Sequence, residues 1–319
     1  MDAHARPEDF DAEEPETAEV DAIHGREQVA SLEGCAPLVK LLDSASVEVI
    51  CGAANALFNL ALHGQNADAM LPLGALPKLV ALLDHADATV KAAAAGVLMN
   101  VNATSARCRS ELAYGGLLKA LLKQIEEASA DAEVRKNALG ALNNLLLDPF
   151  AAKQLRPEGG LIVLTELLRA EGRGEARLED AGSSLLRALQ EDPKAGDAFV
   201  ECGGMPVLVA TVQSPNEELQ IRVCGLIYES CEQVPAARQM IHELDGVGAI
   251  LPLLGSSAEE VQEAAARAIE KLSRMPAAAI AVRRAEGIPA LIELLSSADR
   301  GVQACDLPPS PTTSPCACI

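Results

Sequence analysis

The chain has 319 residues, with 46 Asp and Glu against 26 Lys and Arg, a net charge of −20 and only 2% aromatics, none of them Trp. That balance argues against sequence-independent nucleic-acid binding and against docking on an anionic membrane surface, both of which need Lys and Arg to neutralise phosphates. Ala (57) and Leu (45) supply about a third of the residues; both are strong helix formers, and the aromatic and β-branched residues of all-β folds are scarce.

Residues 1–22 hold nine acidic residues and Arg6 as the one basic one. Such a segment is too charged and too poor in apolar residues to pack, so an acidic, disordered N-terminal arm is expected, either a solvating tail or a competitor for a binding groove. It does not have the basic-then-apolar start of a secretory signal. No run of 18 apolar residues occurs anywhere, so no membrane-spanning helix is expected.

From residue 23 onward one phrase recurs, a Gly-containing turn followed by Leu-Val-x-Leu-Leu or a relative of it. It reads Gly34-Cys-Ala-Pro-Leu38-Val-Lys-Leu-Leu42, then Gly74 to Leu83, Gly116 to Ile125, Gly160 to Leu168, Gly204 to Leu208, Gly248 to Leu254 and Gly287 to Leu295. Anchored on Leu38, Leu79, Leu121, Leu164, Leu208, Leu251 and Leu291, the steps are 41, 42, 43, 44, 43 and 40 residues. After each phrase comes a polar break and an amphipathic stretch of about four turns, as over 47–62, 88–102, 133–147 and 259–272. A turn such as Asp148-Pro149 or Asp192-Pro193 and a brief further helix lead to the next Gly. Each unit is two short helices and a long one, too small to bury its own apolar faces, so neighbours must stack. The predicted fold is an all-α, right-handed solenoid of about six full three-helix units plus a truncated seventh, spanning 23–304.

The phrase and the long-helix endings Ala56-Leu-Phe-Asn59-Leu60, Val97-Leu-Met-Asn100-Val101 and Ala141-Leu-Asn-Asn144-Leu145 resemble the armadillo-repeat family. The resemblance implies that the long helices line a concave groove for an extended peptide, with Asn59, Asn100 and Asn144 as a ladder bridging its backbone. An Asn amide offers a donor and an acceptor to one peptide unit. The alternative is that these Asn cap or tie helix ends as satisfied polar groups. Import adaptors of the family carry Trp four residues before each Asn, where this chain has Asn55, Gly96 and Gly140; the matching Asn positions of later units read Ala188, Glu229 and Lys271. Candidate groove residues are therefore Asn55, Asn59, Asn100, Asn137 and Asn144 in a neutral first half, then Arg187, Arg222, Glu229, Arg267 and Lys271. A solvated charged face is the competing reading of the second group.

No nucleophile elbow, phosphate loop or dinucleotide fingerprint is present; Gly246-Val-Gly248 lacks the third Gly and is expected in a helix–helix turn. His4, His24, His63, His85 and His242 have no metal-ligand spacing. No enzyme activity, cofactor or metal is expected. The nine Cys sit mostly alone in apolar stretches, which suits thiols in a reducing cytoplasmic or nuclear location; Cys224 and Cys231 are expected as core or groove-side thiols rather than a redox pair.

At the far end, the seventh unit starts its long helix near Asp299 and meets Pro308, Pro309, Pro311 and Pro315, so 305–319 is expected as a disordered Pro/Ser/Thr tail. The array is expected to be incomplete there, with an end covered by a partner or by missing repeats. Cys316-Ala-Cys-Ile319 formally fits a prenylation box without polybasic support. The function expected is a scaffold or adaptor holding a partner protein segment. The alternatives are a nucleotide-exchange cofactor of the seventy-kilodalton heat-shock chaperone and an import adaptor for basic cargo, the latter opposed by the missing Trp.

Overall fold

A computed structural model of the chain describes residues 34–127, 131–169 and 177–284, together with position 289. The acidic arm, the seventh unit from Gly287 and the Pro-rich tail lie outside the described residues. The described chain falls into two compact units that meet at Arg109 and Ser110.

The first unit contains α1 (Cys35–Leu41), α2 (Val47–Leu60), α3 (Gly64–Met70), α4 (Ala75–Leu82) and α5 (Ala88–Thr104), and α6 (Ala106–Tyr114) leads out of it. The second contains α7 (Leu117–Glu127), α8 (Ala132–Leu145), α9 (Pro149–Gln154), α10 (Gly160–Arg169) and α11 (Leu178–Glu191). It continues with α12 (Ala195–Glu201), α13 (Gly204–Thr211), α14 (Glu217–Gln233), α15 (Pro235–Glu243), α16 (Gly246–Ile250) and a 3-10 turn over Leu251–Gly255. It finishes with α17 (Glu259–Ser273) and α18 (Pro276–Arg284). The described elements are all helices, in the expected order of two short and one long.

For four of the six described long helices the polar break before the helix supplies its N-cap. The side chains of Ser46, Asp87, Asp131 and Asn216 accept from the first-turn N–H groups of α2, α5, α8 and α14, which otherwise have no partner. Long helices then pack against their counterparts: α2 on α5 in the first unit, and α11 on α14 on α17 in the second. The equivalent fully buried positions are Leu57 and Leu98, then Leu142, Leu185, Ile227 and Ile269.

Stacked repeats also satisfy the carbonyls that helix C-termini leave without partners. In the first unit Asn100 Nδ2 donates to the Phe58 carbonyl at 3.0 Å and Thr104 Oγ1 to that of Ala61 at 2.8 Å. Cys108 Sγ donates to the Ala67 carbonyl at 3.2 Å. In the second, Gln233 Nε2 donates to the Leu189 carbonyl at 2.7 Å. This explains why α2 stops at Leu60 rather than at 62: Asn66 Nδ2 takes the Leu60 carbonyl at 3.0 Å and Thr104 the next one.

The turn glycines lie differently from their places in the phrase. The left-handed residue is Gly74, Gly116, Gly159, Gly203 and, in the sixth repeat, Asp245. Each stands two residues before a core side chain of the next helix: Leu76, Leu118, Leu161, Met205 and Val247. The expected turn residues Gly160 and Gly204 are instead helix starts, where a Cβ would come within 2.3 Å of Leu155 and 2.6 Å of the Phe199 ring. Gly246-Val-Gly248 opens α16 instead of forming a turn. The sixth phrase is also shifted by one residue. Ile250 is fully buried and takes the anchor position, while Leu251 is half-buried and begins the 3-10 turn, where Pro252 has no N–H to continue the α-helix. In the first copy the turn of the helix buries Cys35 and Val39 and leaves Leu38 half-buried.

Cys224 and Cys231 are both fully buried core thiols, and burial pushes each up to about 12. Among the described residues no helix is long and apolar enough to cross a membrane.

A Cβ at Gly74 would have open space, so its φ of +68° alone makes the position unfavourable for other residues. Gly74→Ala is expected to cost about 1 kcal/mol through left-handed strain; a chemical-unfolding curve superposing on the parent would contradict that.

Candidate functional site

The core register fixes which side chains are equivalent on the long helices. Two residues beyond Leu57, Leu98, Leu142, Leu185, Ile227 and Ile269 stand Asn59, Asn100, Asn144, Arg187, Glu229 and Lys271. The fourth member is thus Arg187 and not Ala188, which is fully buried.

In the first unit, Asn55 and Asn59 are exposed on α2. Asn100 is 7% exposed, and its amide N–H is engaged by the Phe58 carbonyl. Asn100 therefore ties one long helix to the next, the role written above as the alternative to peptide contact. In the second unit, Asn137 and Asn144 are half-buried on α8. Their neighbour Asn143, passed over by sequence reasoning, donates from Nδ2 to Asp180 Oδ1 of α11 at 2.8 Å. The spacing of 37 residues, one repeat less a turn, was the available signal.

The charged residues of α11, α14 and α17 do come together. A cleft of 530 Å³ is lined by Asn143, Asp180, Arg187, Gln190, Glu218 and Arg222 among others. Beside it, a smaller one of 200 Å³ has Leu186, Ile221, Tyr228, Glu229 and Arg267 in its walls. Arg222 and Gln190 belong to both. Glycines make this surface: a Cβ at Gly182 would lie 3.0 Å from the Arg222 Cβ, and one at Gly225 would lie 3.3 Å from a Leu186 methyl.

The acids and bases are interleaved. Arg177 meets Asp180 at 3.0 Å, and Gln190 Nε2 donates to Glu229 at 3.2 Å. Arg222 Nη2 approaches Glu218 at 3.5 Å and Arg267 Nη1 approaches Glu263 at 3.9 Å, each within its own helix. The last two are long, half-exposed pairs, worth well under about 1 kcal/mol each. The buried Nε of Arg222 has no hydrogen-bond partner. A ligand that supplies an acceptor would therefore gain a charge-assisted bond with little to displace.

Lys271 is different, since it is 5% exposed and held from several sides. Its Nζ lies 2.8 Å from Glu232 and 4.7 Å from the Tyr228 ring centre, while Arg267 lies 5.0 Å from the same ring. Both cations are drawn to the ring's negative face. Tyr228 was missed in the sequence because its partners sit 39 and 43 residues away. The hydrogen bond from Lys271, helped by the charges of Lys271 and Arg274, holds the Glu232 carboxyl below its ordinary value, and that same bond holds Lys271 above its own. Among the described residues there is no group of three or more His, Cys, Asp or Glu placed to hold a metal ion.

The fold and this long-helix face define the class: a solenoid of three-helix repeats. Comparison with known proteins agrees. Residues 23–62 match the armadillo/beta-catenin-like repeat, and residues 66–179 match the SIL1/FES1/HPBP1 C-terminal domain. Human armadillo repeat-containing protein 3 is 28% identical over 159 residues, half of this chain; the chain spans 18% of that relative's length. An engineered protein solved by crystallography is 30% identical with a TM-score of 0.81, covering 88% of this chain and 68% of that one. A designed armadillo repeat protein in complex with the peptide (KR)4 is 24% identical with a TM-score of 0.66, covering 74% and 98%. The chain belongs to the armadillo-repeat family.

Asn100→Leu removes the donor to the part-buried Phe58 carbonyl, so a loss of about 1 kcal/mol is expected in urea unfolding; an unchanged midpoint would show that the bond is idle. Glu232 gives a pH signature. Its folded-state value is lowered, so its stabilisation is complete above the unfolded glutamate value of about 4.3 and is lost as pH falls through the folded value. The stability gap between the parent and Glu232→Gln should be largest near neutral pH and close in acid. A gap that widened in acid would contradict the pairing with Lys271.

Proposed function

We propose that the chain is a non-enzymatic protein-binding scaffold that holds an extended segment of a partner along α11, α14 and α17. The observation that carries this is the pair of adjoining clefts whose walls come from successive long helices, sharing Arg222 and Gln190. Repeats place equivalent side chains at regular intervals, which suits a ligand that is itself a regular extended chain. Glu179, Asp180, Glu218 and Glu229 alternate here with Arg177, Arg187, Arg222 and Arg267, so a segment of mixed charge fits better than a purely basic one. The designed armadillo protein solved with (KR)4 shares this fold. Asn144 and Asn137, in the same unit, would extend the surface with neutral amides, as the exposed Asn55 and Asn59 would within the first unit. A protein or peptide is the partner class; the charge balance and the absence of a described membrane-spanning helix favour neither nucleic acid nor insertion into a bilayer. The chain is read as an array over 23–304, with an acidic segment 1–22 and a Pro-rich segment 305–319 on either side, at work in the cytoplasm or nucleus.

A second reading has its own support. The match of residues 66–179 to the SIL1/FES1/HPBP1 C-terminal domain favours a nucleotide-exchange cofactor of a heat-shock chaperone, which would grip a globular domain rather than a peptide.

Peptides enriched from a displayed library against the purified chain test the first reading. Arg222→Glu with Arg267→Glu should weaken the enriched peptides at least tenfold, about 1.4 kcal/mol, with circular dichroism unchanged. Unaltered affinity would remove these helices from the site. Acceleration of nucleotide release from the chaperone, insensitive to both substitutions, would favour the second reading instead.

A further inference from the structure

The chain has six aromatic residues, two Tyr and four Phe, and two of them form an exposed stack away from the clefts. Tyr114, at the end of α6, and Phe150, in the first turn of α9, lie with ring centres 4.2 Å apart and planes inclined by 23°. Tyr114 is 71% exposed and Phe150 37%, whereas Phe199 is fully buried. Leu147, in the turn before α9, is 44% exposed. The pair is held from below: Ser110 Oγ of α6 donates to Asp148 Oδ2 at 2.8 Å, and Asp148 Oδ1 caps α9 by accepting from Phe150 N at 2.9 Å. The platform is thus pre-ordered, and its apolar faces meet water at a position where neither ring contributes to the repeat core.

We infer that this aromatic platform docks the chain's own segment 307–315, Leu-Pro-Pro-Ser-Pro-Thr-Thr-Ser-Pro. Stacked aromatic faces recognise proline because the pyrrolidine ring is a flat apolar surface, and a Pro-rich segment is already close to the polyproline II conformation, so little entropy is lost on docking. Pro308-Pro309-Ser310-Pro311 has the spacing of prolines three apart that brings two of them to one side of such a helix, which has three residues per turn. The reach is sufficient. From α6 to α18 the array advances four repeats, roughly 40 Å at about 10 Å per layer of packed helices. The 24 residues from Arg284 to Pro308 can span at most about 80 Å when fully extended, about twice that distance. The segment carries no charge of its own, so the net acidity of the chain does not oppose its return.

The probe is a synthetic peptide of residues 307–315, titrated by calorimetry into three full-length proteins. These are the parent, a tail variant with P308A, P309A and P311A, and the tail variant that also carries Y114A and F150A. In cis the tail competes at an effective concentration of about 1 mM, so a peptide with a Kd one tenth of that should bind the tail variant about tenfold more tightly than the parent. It should lose binding when both rings are removed. Equal affinity for the parent and the tail variant overturns the occupant, and binding that survives loss of the rings, or no binding to the tail variant, overturns the site. Light scattering against concentration separates a second copy: a parent that dimerises through the same rings and prolines also overturns docking within one chain. None of these readouts involves Arg222 or Arg267, so failure here leaves the cleft reading untouched.

Discussion

A three-helix repeat of about 42 residues leaves two debts that it cannot settle internally: an apolar stripe on each helix and the open carbonyls at each helix end. Both are met by the following repeat. The buried stripes meet as α2 on α5 and as α11 on α14 on α17, and side chains from one repeat onward reach back to open carbonyls at Phe58, Ala61 and Leu189. These bonds couple neighbouring layers directly, as expected of a quasi-one-dimensional array in which stability is a sum of repeat and interface terms. Composition follows from the same constraint. Ala and Leu fill closely spaced layers, and large rings have no room in them except at Phe199, against which Gly204 must lack a Cβ.

That constraint also sorts the outward side chains. Some face outward in sequence terms but serve the interface: Asn100 ties α5 to α2, and Lys271 is clamped by Glu232 and Tyr228. Others face a cleft and have weak, long ion pairs within their own helix, as Arg222 and Arg267 do, Arg267 resting also on the Tyr228 ring. The second kind can change partners at little cost, because half-exposed pairs contribute little. On the proposed function, the loosely paired arginines and Glu229 would carry binding in 110–284 more than the positions equivalent to the family's Asn.

Much of this was legible in the sequence, because a repeat multiplies a weak local signal. The period, the helix order and the burial of Leu79, Leu121, Leu164 and Leu208 all follow from the recurring phrase. What was misplaced depends on backbone geometry. Gly159 and Gly203 are left-handed while the adjacent Gly160 and Gly204 avoid steric overlap, and a string of letters does not separate the two reasons for glycine. Asp245 shows the same turn without glycine, since a short polar residue tolerates that region. The shift of the sixth anchor from Leu251 to Ile250 comes from Pro252, and assigning Ala188 where Arg187 belongs was the same one-residue error on another helix. Asn143, Tyr228 and the Tyr114–Phe150 stack were invisible because each depends on a partner about one repeat distant, where sequence alone fixes the layer but not the facing side chain.

The central claim is that a partner segment lies along α11, α14 and α17. Its most direct test is site-specific photo-cross-linking with an enriched peptide, placing a benzophenone side chain at Glu229 in the cleft and, separately, at the exposed Gln239 on α15. The account predicts a covalent adduct from position 229 and none from position 239. Capture at 239 without capture at 229 would contradict it.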